Sequence, residues 1–144
     1  MDKKLGKKFL LVLIIFFSLF SVVHSVKNIA SCSKLNIPGE TYYLTQDILN
    51  IHTSNCMTIS ANNVTLDCQG HIIEGNGTTS NGIIVSREPF YPFTDTYLTI
   101  KNCNISKYAQ NIYLYQANKN NILNVTSSIS TYGIYLVYSV TKSS

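Results

Sequence analysis

The segment Asn111-Ile112-Tyr113-Leu114-Tyr115 returns 22 residues later as Gly133-Ile134-Tyr135-Leu136-Val137, and the same offset relates Ile100 to Ile122 and Asn102 to Asn124. A constant offset of this size means stacked repeats, each a small supersecondary unit that cannot bury its apolar face alone. An earlier copy, Gly82-Ile83-Ile84-Val85, lies 29 residues before the Ile112 segment, the excess being an insertion around Arg87 to Asp95. Leu66 is a more distant counterpart of Ile100.

The repeating runs are short, rich in β-branched and aromatic residues, and cut by Asn and Gly: Thr41 to Leu44, Met57 to Ser60, Val64 to Cys68, Gly82 to Val85, Tyr97 to Lys101, Asn111 to Tyr115 and Gly133 to Val137. Such runs predict strands between tight turns, and no stretch has apolar residues at helical spacing. Because side chains alternate along a strand, Ile83, Ile112 and Ile134 should point inward with Val85, Leu114 and Leu136, while Tyr113 and Tyr135 point out. Rungs stacked at the parallel-strand spacing of roughly 4.8 Å would turn these positions into aliphatic ladders. A period near 22 accommodates three short strands and their turns, one coil of a β-helix. A leucine-rich repeat would show Leu-x-x-Leu-x-Leu followed by Asn, which is absent, and a β-sandwich has no reason to hold a constant offset.

The N-terminus has a different character. Lys3, Lys4, Lys7 and Lys8 precede an apolar run from Phe9 to Val23, interrupted by Ser18 and Ser21, and then Val23-His24-Ser25. That order is expected of a secretory signal peptide cleaved after Ser25, the run being short of the roughly 18 to 20 apolar residues that span a bilayer. Residues 1–25 would then leave a mature chain of 119 residues with no stable membrane span, enough for one domain. Of eleven basic and seven acidic residues the leader holds four and one, so seven and six remain, a net charge of +1. The remaining cations, Lys27, Lys34, Arg87, Lys101, Lys107, Lys119 and Lys142, are scattered, which argues against nucleic acid as a partner.

All four cysteines, Cys32, Cys56, Cys68 and Cys103, fall in the mature part, where an exported chain can hold disulfides. Three full pairings are open, and no spacing forms a CxxC or Cys/His cluster, so neither a metal site nor a cofactor is expected. Cys32 with Cys56 is the expected pair, stapling the first turns together; Cys68 and Cys103 equally suit small buried apolar positions.

The segment NNVTLDCQGHIIEG from Asn62 to Gly75, followed by NGIIV, LTIKNCNIS and YGIYL, resembles the right-handed parallel β-helix repeat proteins of the pectin-lyase-like class and is also similar to the periplasmic copper-maturation β-helix proteins. Upstream, Cys32-Ser-Lys-Leu, Pro38-Gly39-Glu-Thr-Tyr-Tyr-Leu and Cys56-Met-Thr-Ile are similar to the start of secreted, often archaeal, surface members of that class. The resemblance implies an all-β fold, a short right-handed parallel β-helix (solenoid) behind the signal peptide, with residues 26–60 as an N-terminal cap region and 61–144 as rungs. It implies no single activity, because this architecture carries many functions. A copper-related role is disfavoured by the mature chain's histidines, only His52 and His71, and its lone thioether, Met57.

Lyases and hydrolases of this architecture need grouped acids with a basic residue, or carboxylates flanking the glycosidic bond. The mature chain has Glu40, Asp47, Asp67, Glu74, Glu88 and Asp95, and only Asp67, His71 and Glu74 are densely placed, in a context where turn and cap roles are the expected ones. No catalytic residue is therefore assigned. Candidate ligand-binding residues are Arg87, Phe90, Tyr91 and Phe93 in the inserted segment, where aromatic faces could stack on sugar rings, and Tyr113 and Tyr135, with Tyr115 and Tyr138, as an outward strip on successive rungs. The alternatives are a loop folded back on the scaffold and tyrosines chosen for strand propensity. Asn102 above Asn124 suggests a structural amide ladder. Sequons occur at Asn63, Asn76, Asn104 and Asn124, and Asn76, in an expected Gly75-Asn76-Gly77 turn, is the candidate for glycosylation.

The expected product is a secreted or cell-surface protein, periplasmic in a Gram-negative bacterium, structural or binding a polysaccharide or cell-envelope glycan. The rival is a fragment of a polysaccharide lyase or glycoside hydrolase. With no capping helix visible after Val137, either further rungs follow Ser144 or the last rung is protected by self-association.

Overall fold

The computed structural model describes residues 26–85 and 96–137. The signal peptide, Arg87, Phe90, Tyr91, Phe93 and Tyr138 lie outside the described residues. Among those described there is no helix, hence none long and apolar enough to cross a membrane. The strands are β1 (Val26–Ile29), β2 (Lys34–Leu35), β3 (Thr41–Leu44), β4 (Ile48–Ile51), β5 (Asn55–Ile59), β6 (Thr65–Asp67), β7 (Ile72–Val85), β8 (Thr99–Lys101), β9 (Asn104–Tyr115), β10 (Asn121–Leu123), β11 (Thr126–Ser128) and β12 (Tyr132–Val137).

Every pairing is parallel. One sheet has the order β1-β3-β6-β8-β10; the other runs β11-β9-β7-β5-β2, with β12 also on β9 and β4 also on β7. The long strands β7 and β9 explain the double pairing. The first part of β7 lies against β4 and its end against β5, while β9 takes β11 at its start and β12 at its end. Each pass of the chain therefore lays down three strand segments, an arrangement compatible with a β-helix-like solenoid.

The register reproduces the sequence offsets. Ile134 pairs with Ile112, Ile122 with Ile100, Leu66 with Ile100, and Ile83 with Ile112. The core is made of these stacked aliphatics: Leu66, Ile83, Ile100, Ile112, Val85 and Leu114 are buried, together with Ile73 above Ile105 in a column the sequence reading did not separate. The inward expectation fails at the last pass. Ile134 and Leu136 remain 45% and 51% exposed, against 0% and 3% for their partners Ile112 and Leu114, because among the described residues nothing lies beyond them. The expected strand from Tyr97 starts only at Thr99, since Tyr97 has φ 48° and forms a corner.

Both cysteine pairs are disulfides: Cys32–Cys56 as expected, and Cys68–Cys103, with Cα–Cα distances of 4.4 and 4.8 Å. Each lies between successive passes, where parallel stacking brings aligned residues within disulfide reach. Disulfides belong to oxidising, extracellular-type environments.

Candidate functional site

The end of β9 and its neighbour β12 present an aromatic patch. Tyr113 pairs in register with Tyr135, and alternation that sends Ile112 and Leu114 into the core turns both rings outward. Their centroids are 5.6 Å apart at an interplanar angle of 19°. Tyr115, two residues along the same strand face, stands 6.4 Å from Tyr113, and Tyr132 stacks 4.9 Å from Tyr135. These spacings fall in the range of offset aromatic stacking, so the rings hold one another in place. Burial first, then the neighbouring Tyr135 and Tyr115 hydroxyls, raises the Tyr113 phenol above its ordinary value, keeping it a neutral donor at physiological pH. The patch thus offers ring faces ringed by hydroxyls, a surface that can meet the apolar faces and the hydroxyl rims of sugar rings. Tyr132 was missed in the sequence because it does not share the two-residue alternation of Tyr135; its signal was proximity across a Gly.

The residues dense in sequence at LDCQGHIIEG disperse in space. Asp67 accepts from Gln69 N–H and from Asn102 Nδ2, each at 2.9 Å, and pairs with Lys101 Nζ at 3.2 Å. Burial alone would raise its carboxyl, but the bonds from Asn102, Gln69 and Lys101 hold it below the usual carboxylate value. Asn124 Nδ2 donates in turn to Asn102 Oδ1 at 3.0 Å, so the expected amide ladder exists and extends to Asp67. His71 turns instead toward Asp47, with Nδ1 3.0 Å from Oδ1. Asp47 also accepts from Ile72 N–H, which, ahead of His71, lowers its carboxyl below the ordinary value. Glu74 pairs with Lys107 at 3.0 Å. Each of the three groups bridges to a different neighbouring pass, as turn and cap roles require, and among the described residues no three His, Cys, Asp or Glu side chains form a group able to hold a metal.

Asn76 does not sit in an exposed turn. It lies inside β7, half-buried, its Nδ2 2.8 Å from His52 Nδ1, whereas Asn63 and Asn124 are exposed. The strand continues through Gly77, whose φ of 87° takes up the register shift between Glu74 and Thr79. Asn104 is likewise engaged, donating to the Gly70 carbonyl at 2.7 Å.

Comparison with models of known protein families, with curated proteins and with solved structures found no match to this chain.

Proposed function

We propose that this chain is a secreted or cell-surface right-handed parallel β-helix of the pectin-lyase-like kind that binds a linear polysaccharide or cell-envelope glycan through its tyrosine patch. The leader-like residues 1–25, the two disulfides and the resemblance of the Asn62–Gly75 segment support the compartment and the handed coil. The observation that carries the binding reading is the stacked, outward set of Tyr113, Tyr115, Tyr132 and Tyr135 on adjoining rungs. A linear glycan repeats along its length as the rungs do, so adjacent rings can take adjacent sugars. Arg87, Phe90, Tyr91 and Phe93 follow Val85, the residue paired with Leu114 beside Tyr113, and belong to the same proposal. Asn63 replaces Asn76 as the preferred glycan acceptor, being exposed.

Affinity electrophoresis against a panel of neutral and acidic linear polysaccharides tests the reading. Retardation by at least one polymer is expected. Tyr113→Ala or Tyr135→Ala should each weaken it about tenfold, equivalent to about 1.4 kcal/mol and near the upper end of a stacking contribution, while Tyr→Phe retains most of the binding. Binding unchanged in the folded double alanine variant, or no polymer bound, would sink it; depolymerisation of a panel member would favour the lyase or hydrolase instead.

A further inference from the structure

The last pass of the chain, β10, β11 and β12, is covered on one side by β8 and β9 and, among the described residues, by nothing on the other. Three strand segments therefore end the two sheets with one row of backbone N–H and C=O groups unpaired, an edge on which further strands can add. The side chains there match a core rather than a surface. Ile134, Leu136 and Leu123 are about half exposed, although the register partners of the first two, Ile112 and Leu114, are buried in the preceding pass.

Proteins usually blunt such an edge with charge. From Asn120 to Val137 there is not one Asp, Glu, Lys or Arg. The opposite end differs: its outermost strands β1 and β2 carry Lys27 and Lys34, both exposed. Head-to-tail stacking would press those lysines against the neutral end and strip their solvation, whereas two neutral ends brought together meet no charge at all.

We infer that the face formed by β10, β11 and β12 is an interface with the same face of a second copy of this chain, closed by a two-fold axis. Across that axis the edge strands run antiparallel, a pairing that satisfies their free backbone groups as well as parallel pairing does. Ile134, Leu136 and Leu123 are buried against their counterparts, and the lysine-bearing ends face solvent at the two extremities. The closed contact stops at two copies.

Sedimentation of the full chain, without added glycan, tests this separately from polysaccharide binding. Twice the monomer mass is expected at high concentration, dissociating on dilution. Leu136→Lys and Ser128→Lys place the missing charge on two different edge strands, at positions already exposed in the single copy. Each should weaken association more than tenfold while leaving the far-ultraviolet dichroism unchanged. A wild-type chain monomeric at every concentration, a dimer that persists in both folded lysine variants, or open-ended polymers that lengthen with concentration would each overturn the inference.

Discussion

Ten non-glycine residues hold positive φ, and most of them recur in register. Gly39, Asn63, Tyr97 and Lys119 mark one corner of successive passes; Gln69, Asn102 and Asn124 mark a second; Gly77, Lys107 and Ile129 mark a third. A left-handed residue turns the chain sharply, and Asn and Gly take that conformation most readily. Ile129, with φ 48°, suits it worst, being β-branched, and at 71% exposure it gains little burial to offset the strain. Ile129→Asn should therefore stabilise dilute protein by about 1 kcal/mol in urea unfolding. Asp67 supports the second corner by a different route, through its bonds to Gln69, Asn102 and Lys101. Its folded carboxyl is depressed, so the unfolded chain takes up a proton at higher pH than the folded one. Its contribution is complete above the unfolded value of about 3.9 and is lost as pH falls through the lower folded value. Asp67→Asn should lower stability at neutral pH and flatten its decline below about pH 4, read from thermal melts across that range.

Strands β7 and β9 form the most heavily paired part of the fold, and their contact depends on what does not project between them. A Cβ at Gly82 would stand 2.7 Å from the Asn111 carbonyl oxygen and 2.7 Å from Ile105 Cγ2. Asn111 cannot retreat, because its fully buried side chain places Nδ2 within 2.8 to 3.0 Å of Ile105 O, Ser127 Oγ and Ser128 O, joining β9 to β11. Gly82→Ala should cost about 1–3 kcal/mol, the usual penalty for overpacking, measured as a lowered urea midpoint at unchanged slope. Tyr108, packed against the same glycine, is buried deeply enough that desolvation, aided by Glu74, pushes its phenol up to about 12. It therefore behaves as a core ring, unlike Tyr113 five residues on.

At the scale of the molecule, stability comes from each pass covering the next, and the disulfides link passes rather than sheets. Cys32–Cys56 spans a sequence separation of 24 and Cys68–Cys103 one of 35, the latter across the insertion at 86–95. Closing a loop of that length restricts the unfolded chain, a contribution of about 3–4 kcal/mol in the chain-entropy model. The double variant Cys68→Ala/Cys103→Ala should lose stability on that order in denaturant unfolding, and the loss should vanish when wild type and variant are compared under reducing conditions.

The offset of 22 by itself determined which residues stack on which in the last two passes, because identical rungs at constant spacing admit one register. Alternation likewise determined that Tyr113 and Tyr135 share an outward face and that Ile112 and Leu114 do not. The earlier passes were less legible: Ile48 above Ile73 and Met57 above Ile83 follow offsets of 25 and 26, lengthened by turns that carry no repeated apolar mark. Only the tertiary structure decided that Cys68 meets Cys103, that Asp67, His71 and Glu74 part toward three partners, and that Asn76 lies within a strand. Those are contacts between passes, set by corner geometry and by which side chain the neighbouring rung presents. The exposure of Ile134 and Leu136 was decided there too: an apolar periodicity states which way a side chain points, and burial needs a neighbour on that side.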